Sequence, residues 1–145
     1  MKKAVVYILL LMGLVHCSSV PLENSARDQV AKQFLVKPDR ANIYIYRNKF
    51  VGGFYKYPIS VNGRALGVVS SSTYYVLAVK EGLYKIKESY SWPVEYSLSV
   101  KNGRNYFIFV DTAMGFFSPN ISIKEQDESD GRDAVLSRSL AQRQR

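Results

Sequence analysis

The sequence predicts an all-β fold: an antiparallel β-sandwich of about seven to eight strands with a short helix at each end. Three observations carry this. From Asn42 the apolar residues recur with a period of two over about eighty residues, the spacing that sends alternate side chains to opposite faces of a strand. Turn dipeptides punctuate the run at Asn62-Gly63, Glu81-Gly82 and Asn102-Gly103. No helical period intervenes, which excludes an alternating α/β layout.

The elements follow in order. Residues 18–24 (SSVPLEN) are polar, contain Pro21 and lack periodicity, so they read as a short tether. Ala26, Val30 and Phe34 then fall four apart and predict a helix from Ser25, closed by Pro38 because a residue before proline is pushed out of the α region. NIYIYRN sets Ile43 and Ile45 on one side of a strand and Tyr44 and Tyr46 on the other. YPISV, RALGVVS, STYYVLAV, LYKIKESY, VEYSLSV, NYFIFVD and NISIKE supply seven more. VEYSLSV alternates most cleanly and predicts one wet face, whereas TYYVLAV and YFIFV are apolar on both faces and predict central strands. Asn62-Gly63 and Asn102-Gly103 suit two-residue type I′ hairpins, where both central residues need positive φ. Most of the eleven tyrosines read as cross-strand packing.

After Glu125 the pattern turns helical. Asp127, Glu128 and Asp130 suit a helix start, Arg138 and Arg143 suit its end, and Val135, Leu136 and Leu140 form a narrow apolar stripe. Gly131 weakens such a helix by about 1 kcal/mol. The expected organisation is a signal at 1–16, a tether and short helix at 17–37, the sandwich at 38–126 and a C-terminal helix at 127–145.

The N-terminus says most about destination. Lys2 and Lys3 precede an apolar run from Ala4 to Leu14, the layout of a secretory signal and too short to span a bilayer. The run leads to Cys17, the sole cysteine. The segment resembles a bacterial lipoprotein signal, whose cysteine is diacylated and becomes the new N-terminus after cleavage; His16 stands where that peptidase usually meets Gly, Ala or Ser. The resemblance implies a lipid on Cys17 and, with Ser18 and Ser19 in place of Asp, sorting to the outer membrane. A soluble periplasmic protein cleaved after Ser19 and an uncleaved anchor are the alternatives. An exported chain seldom keeps a lone thiol without a use, and lipidation supplies one.

Cleavage before Cys17 removes two lysines and the only histidine, leaving 18 Lys+Arg against 12 Asp+Glu. These cations are scattered through turns and outward strand positions, and export argues against a nucleic-acid partner; solubility or a mild attraction to anionic headgroups accounts for them. Without histidine or a free thiol, the Ser-His-Asp and Cys-His constellations and ordinary zinc sites are excluded. The acidic run from Asp127 to Asp133 lacks the spacing of a calcium loop and reads as a solvated helix start, so no metal or cofactor is expected. A Ser-Lys dyad, or Glu88 and Glu95 facing each other across a hairpin, are the enzymatic arrangements left, against the plainer reading of charges on a wet sheet face.

Binding is the stronger expectation. NKFVGGFYKYP carries Phe50, Phe54, Tyr55 and Tyr57 around Gly52-Gly53, and AMGFFSPN carries Met114, Phe116 and Phe117. Loop aromatics stack on sugars or anchor a protein partner, unless they fold inward and cap the core. Arg47 reads as a salt-bridge partner of Asp111 or as a contact for a partner. The segment Asp39–Tyr84 resembles a group of uncharacterised bacterial envelope lipoproteins, domain of unknown function 2846, through Tyr44, Tyr46, Arg47, Asn62, Gly63, Gly67, Tyr75, Glu81 and Gly82. That resemblance implies a lipid-anchored β-sandwich and carries no activity. The expectation is a non-catalytic protein-binding or assembly factor held to the membrane through its lipid, with a carbohydrate- or peptidoglycan-binding module, then an envelope hydrolase, as alternatives.

Overall fold

Each segment of period two becomes a strand in the computed structural model, which describes residues 20–48, 57–89, 93–113, 115–116 and 120–144. In chain order these are β1 (Ala41–Arg47), β2 (Tyr57–Val61), β3 (Arg64–Val69), β4 (Thr73–Val79), β5 (Gly82–Glu88), β6 (Val94–Val100), β7 (Asn105–Ala113) and β8 (Asn120–Gln126). A two-residue strand, β9 (Ser139–Leu140), follows near the C-terminus. They make a sandwich of two sheets, ordered β8-β7-β1-β4-β9 and β3-β2-β5-β6.

The alternation on each strand decides what is buried. Ile43, Ile45, Ile108 and Val110 from the first sheet meet Tyr57, Ile59, Ile86 and Leu98 from the second in the main core. β6 keeps one wet face, burying Leu98 and Val100 while Glu95, Ser97 and Ser99 are exposed. β4 and β7 lie inside their sheet, on either side of β1, as their two apolar faces require. The outer residues of these three strands build a second core: Tyr44 and Tyr46 of β1, Tyr74 of β4 and Phe107 of β7 are covered by Phe34, Val135 and Leu140. Tyr44 stacks on Phe107 with ring centroids 5.1 Å apart and planes 12° from parallel.

Two helices, α1 (Ser25–Ala31) and α2 (Glu128–Leu136), serve this outer core. Asn24 caps α1 by accepting the Arg27 N–H at 2.9 Å, and Asp127 caps α2 by accepting that of Asp130 at 3.0 Å. Gly131 is what lets α2 settle on the sheet, since a Cβ there would overlap the Phe107 ring.

The sheets are antiparallel-rich, as expected, with two parallel pairings added: β1 with β7 and β9 with β4. Several expectations are corrected. Asn62-Gly63 is a β2–β3 hairpin with φ of +48° and +77°. Asn102-Gly103 and Glu81-Gly82 instead carry the chain from one sheet to the other, with positive φ only at their glycines. The Asn102 side chain accepts the Glu81 N–H at 3.0 Å, tying these two crossings together.

The helices are shorter than the four-residue spacings predict. α1 ends at Ala31, six residues before Pro38's neighbour can act; Val30 is exposed, and Phe34 turns inward from a left-handed φ of +56°. α2 ends at Leu136, which is exposed, and Leu140 is buried as part of β9, paired with Tyr74 on the β4 edge. Nor are residues 20–24 a free tether. The Gln142 N–H donates to the Pro21 carbonyl, and the Glu23 N–H to the Leu140 carbonyl, each at 2.9 Å.

Candidate functional site

The polar interior concentrates at one end of the sandwich. Continuing the inward series Ile43, Ile45 on β1, the next position is Arg47, 1% exposed. Across the gap, Tyr57 leads the inward series of β2, and Glu88 on β5 pairs with Ile59, two residues away; both are 0% exposed. The Arg47 guanidinium lies 4.7 Å from the Tyr57 ring centroid. Burial lowers the Arg47 pKa, against an opposing contribution from Tyr57. A cation and a carboxyl group enclosed at one end of a core must be held by partners, and none of these three residues is without one.

A second buried arginine fastens the outside of the same end. Arg138 donates to the Arg47 carbonyl at 2.6 Å and to the Ala134 carbonyl, while its guanidinium sits 5.1 Å from the Tyr46 ring centroid. It joins the end of α2 to the end of β1, closing a contact 91 residues apart in sequence. Burial lowers its pKa too, and burial pushes the Tyr46 phenol up to about 12 despite the opposing charge of Arg138. Along the helix face, Asp28 accepts from the Tyr74 hydroxyl at 2.8 Å, the Leu140 N–H at 3.0 Å and Lys32 at 2.7 Å. Tyr44 donates to the Ala31 carbonyl at 2.8 Å, and burial raises its phenol to about 12.

Of the binding candidates singled out in the sequence, Arg47, Tyr57 and Phe116 are described, and Tyr57 is not a loop aromatic: it opens β2 and folds into the main core. Arg47 does not meet Asp111, because the two project from opposite faces of the first sheet. Asp111 instead accepts from Lys124 at 3.0 Å and from Asn48 at 3.3 Å. Phe116 stands in the β7–β8 connection, 99% exposed. Asn48 donates to the Thr112 carbonyl at 2.7 Å, so the ends of β1 and β7 meet at this end of the sandwich. Cys17, Phe50, Phe54, Tyr55, Met114 and Phe117 lie outside the described residues.

Glu88 and Glu95 do not form a carboxylate pair. Their partners in the hairpin are Val94 and Lys87, so they occupy opposite faces of the sheet. Glu88 is buried rather than solvated, while Glu95 bridges to Lys85 at 3.2 Å. Sequence reasoning missed Arg138, Asp28 and the burial of Glu88. Only the last left a trace, in the parity it shares with Ile86. Among the described residues no three His, Cys, Asp or Glu side chains are grouped to hold a metal.

Two depressions lie away from this end. An apolar groove of about 550 Å³ runs between α1 and the outer face of β1 and β4, past Val30, Leu35 and Val76. A cleft of about 640 Å³ opens between the β2–β3 hairpin and β4. No helix of the described residues is long and apolar enough to cross a membrane.

The positions that carried the family resemblance now have structural duties. Gly67, at φ +133°, leaves room for the Tyr75 hydroxyl, which donates to the Val68 carbonyl at 3.1 Å. Asn62 accepts the Lys85 N–H at 2.8 Å, and Tyr44, Tyr46 and Arg47 are buried as described. An uncharacterised protein of Haemophilus influenzae is similar, 28% identical over 131 residues that cover 88% of this chain and 77% of that protein. Residues 37–123 match the family described as protein of unknown function (DUF2846), and the chain belongs to that family.

Proposed function

We propose that the chain is a non-catalytic lipoprotein of the bacterial envelope, anchored through Cys17 and acting as a protein-binding or assembly factor. The observation that carries this reading is the position of the only cysteine, directly after a lysine-led apolar run. The membrane it enters is the outer membrane, since Asp is absent after Cys17. Support for a holding role comes from the interior. Arg47 lies over Tyr57, Arg138 ties α2 to β1, and Asp28 ties α1 to β4 and β9.

The partner surface is the sandwich end where β1 and β7 finish and Phe116 is presented to solvent. A photo-crosslinking residue at position 116 is expected to capture a defined envelope protein in intact cells. The same residue at Lys87, exposed on the face of the other sheet, captures none. Retention on purified murein that disappears with Phe116→Ala, in place of a protein crosslink, selects the peptidoglycan-binding reading. Crosslinking no stronger at 116 than at 87, with no murein retention, contradicts both.

A further inference from the structure

The cleft between the β2–β3 hairpin and β4 carries an excess of positive side chains. Its described lining includes Arg27, Arg64 and Arg143 against a single carboxylate, Glu23. Glu23 is engaged by Arg27 at 3.2 Å, and no ion pair among the described residues uses Arg64 or Arg143. Arg27 and Arg143 also line the neighbouring apolar groove, whose Val30 and Leu35 are 65% and 77% exposed. Basic groups beside exposed aliphatic ones are the composition of a surface that meets lipid headgroups and the upper acyl region.

The chain's own route supplies the second argument. From Pro21 onward the polypeptide is fixed to the fold, through the Gln142 N–H and the Leu22–Ala141 bridge, next to Arg143 and Gln144 in the sequence. Four residue steps separate Cys17 from Pro21, which span at most about 14 Å even when fully extended. A lipid on Cys17 therefore brings this side of the domain, and no other, within reach of the headgroup layer.

We propose that the face bearing Arg27, Arg64 and Arg143 binds the phosphates of anionic phospholipids in the leaflet that holds the anchor, seating the domain flush on the membrane. This rests on the anchored reading for its geometry, and its test is independent of acylation. Arginine suits the task because its planar fork donates two hydrogen bonds to one phosphate.

The test uses the mature chain carrying Cys17→Ser, so that no acyl chain contributes, and flotation with phosphatidylcholine vesicles with or without phosphatidylglycerol. Binding is expected only to the anionic vesicles. It falls about five-fold with Arg64→Gln or Arg143→Gln and about twenty-five-fold with both. Arg104→Gln, in the β6–β7 crossing and outside the cleft, leaves it unchanged. Millimolar inorganic phosphate does not displace the protein, which separates a lipid surface from a pocket for a free anion. The proposal is overturned by absent binding, by equal binding of the double variant, or by full displacement with phosphate. Failure of fatty-acid labelling at Cys17 with vesicle binding intact removes the anchor and leaves the headgroup surface standing.

Discussion

Asp28 gathers donors from three parts of the chain: Lys32 on its own helix turn, the Tyr74 hydroxyl on β4 and the Leu140 N–H on β9. Removing that acceptor strands the Tyr74 hydroxyl in the outer core, so Asp28→Ala is expected to cost about 2–3 kcal/mol in urea unfolding. Unchanged stability would show that α1 docks without it. The buried tyrosines set an alkaline limit. The folded chain keeps protons on Tyr44 and Tyr46 up to about 12, whereas unfolded tyrosine releases them near 10. Their contribution is fully present below about 10 and is lost as the pH rises toward about 12. A tyrosinate absorbance titration should therefore show these phenols ionising together with loss of the fold; independent ionisation near 10 contradicts the buried placement. At this scale the sequence was least legible. The strand parity that placed Ile45 inward also placed Arg47 and Glu88 inward, against the habit of reading charge as surface.

At the scale of elements, strands were legible and helix ends were not. A period of two survives any choice of neighbour, because the pleat fixes it. Helix ends here depend on contacts made far along the chain. Leu140 leaves the helical stripe to pair with the β4 edge, and Phe34 reaches the outer core only by leaving α1. The same holds for Asn102-Gly103, whose dipeptide signals a reversal without saying whether the chain stays in its sheet. Gly131 makes the point testable. On propensity alone Gly131→Ala should gain about 1 kcal/mol. Its close approach to Phe107 predicts a net loss of about 1–3 kcal/mol, read as a lower urea midpoint. Stabilisation by this change would mean that α2 does not pack as described.

For the whole molecule, the closure of the sandwich and, on the proposed anchored reading, its membrane-facing side are set by the same chain path. The outer core joins both helices to one sheet, and the last described residues close the open side, where the Gln144 N–H donates to the Leu66 carbonyl at 2.8 Å. Arg138→Met tests that closure. Loss of its bonds to the Arg47 and Ala134 carbonyls is expected to destabilise the fold by about 2–4 kcal/mol and to expose β9 to hydrogen exchange before the main core. The two-sheet architecture was legible because composition and turns demand it. The placement of the N-terminal segment against the C-terminal tail was not, since SSVPLEN carries no periodicity from which a pairing can be read. On the proposed reading, that pairing leaves only the steps from Cys17 to Pro21 between anchor and fold. The most direct measurement is intact-mass analysis of the mature protein after growth with a fatty-acid analogue, beside Cys17→Ser. The account predicts an N-terminus at Cys17 that carries the label, and none on the variant; an unmodified N-terminus, or one that begins beyond Cys17, contradicts it.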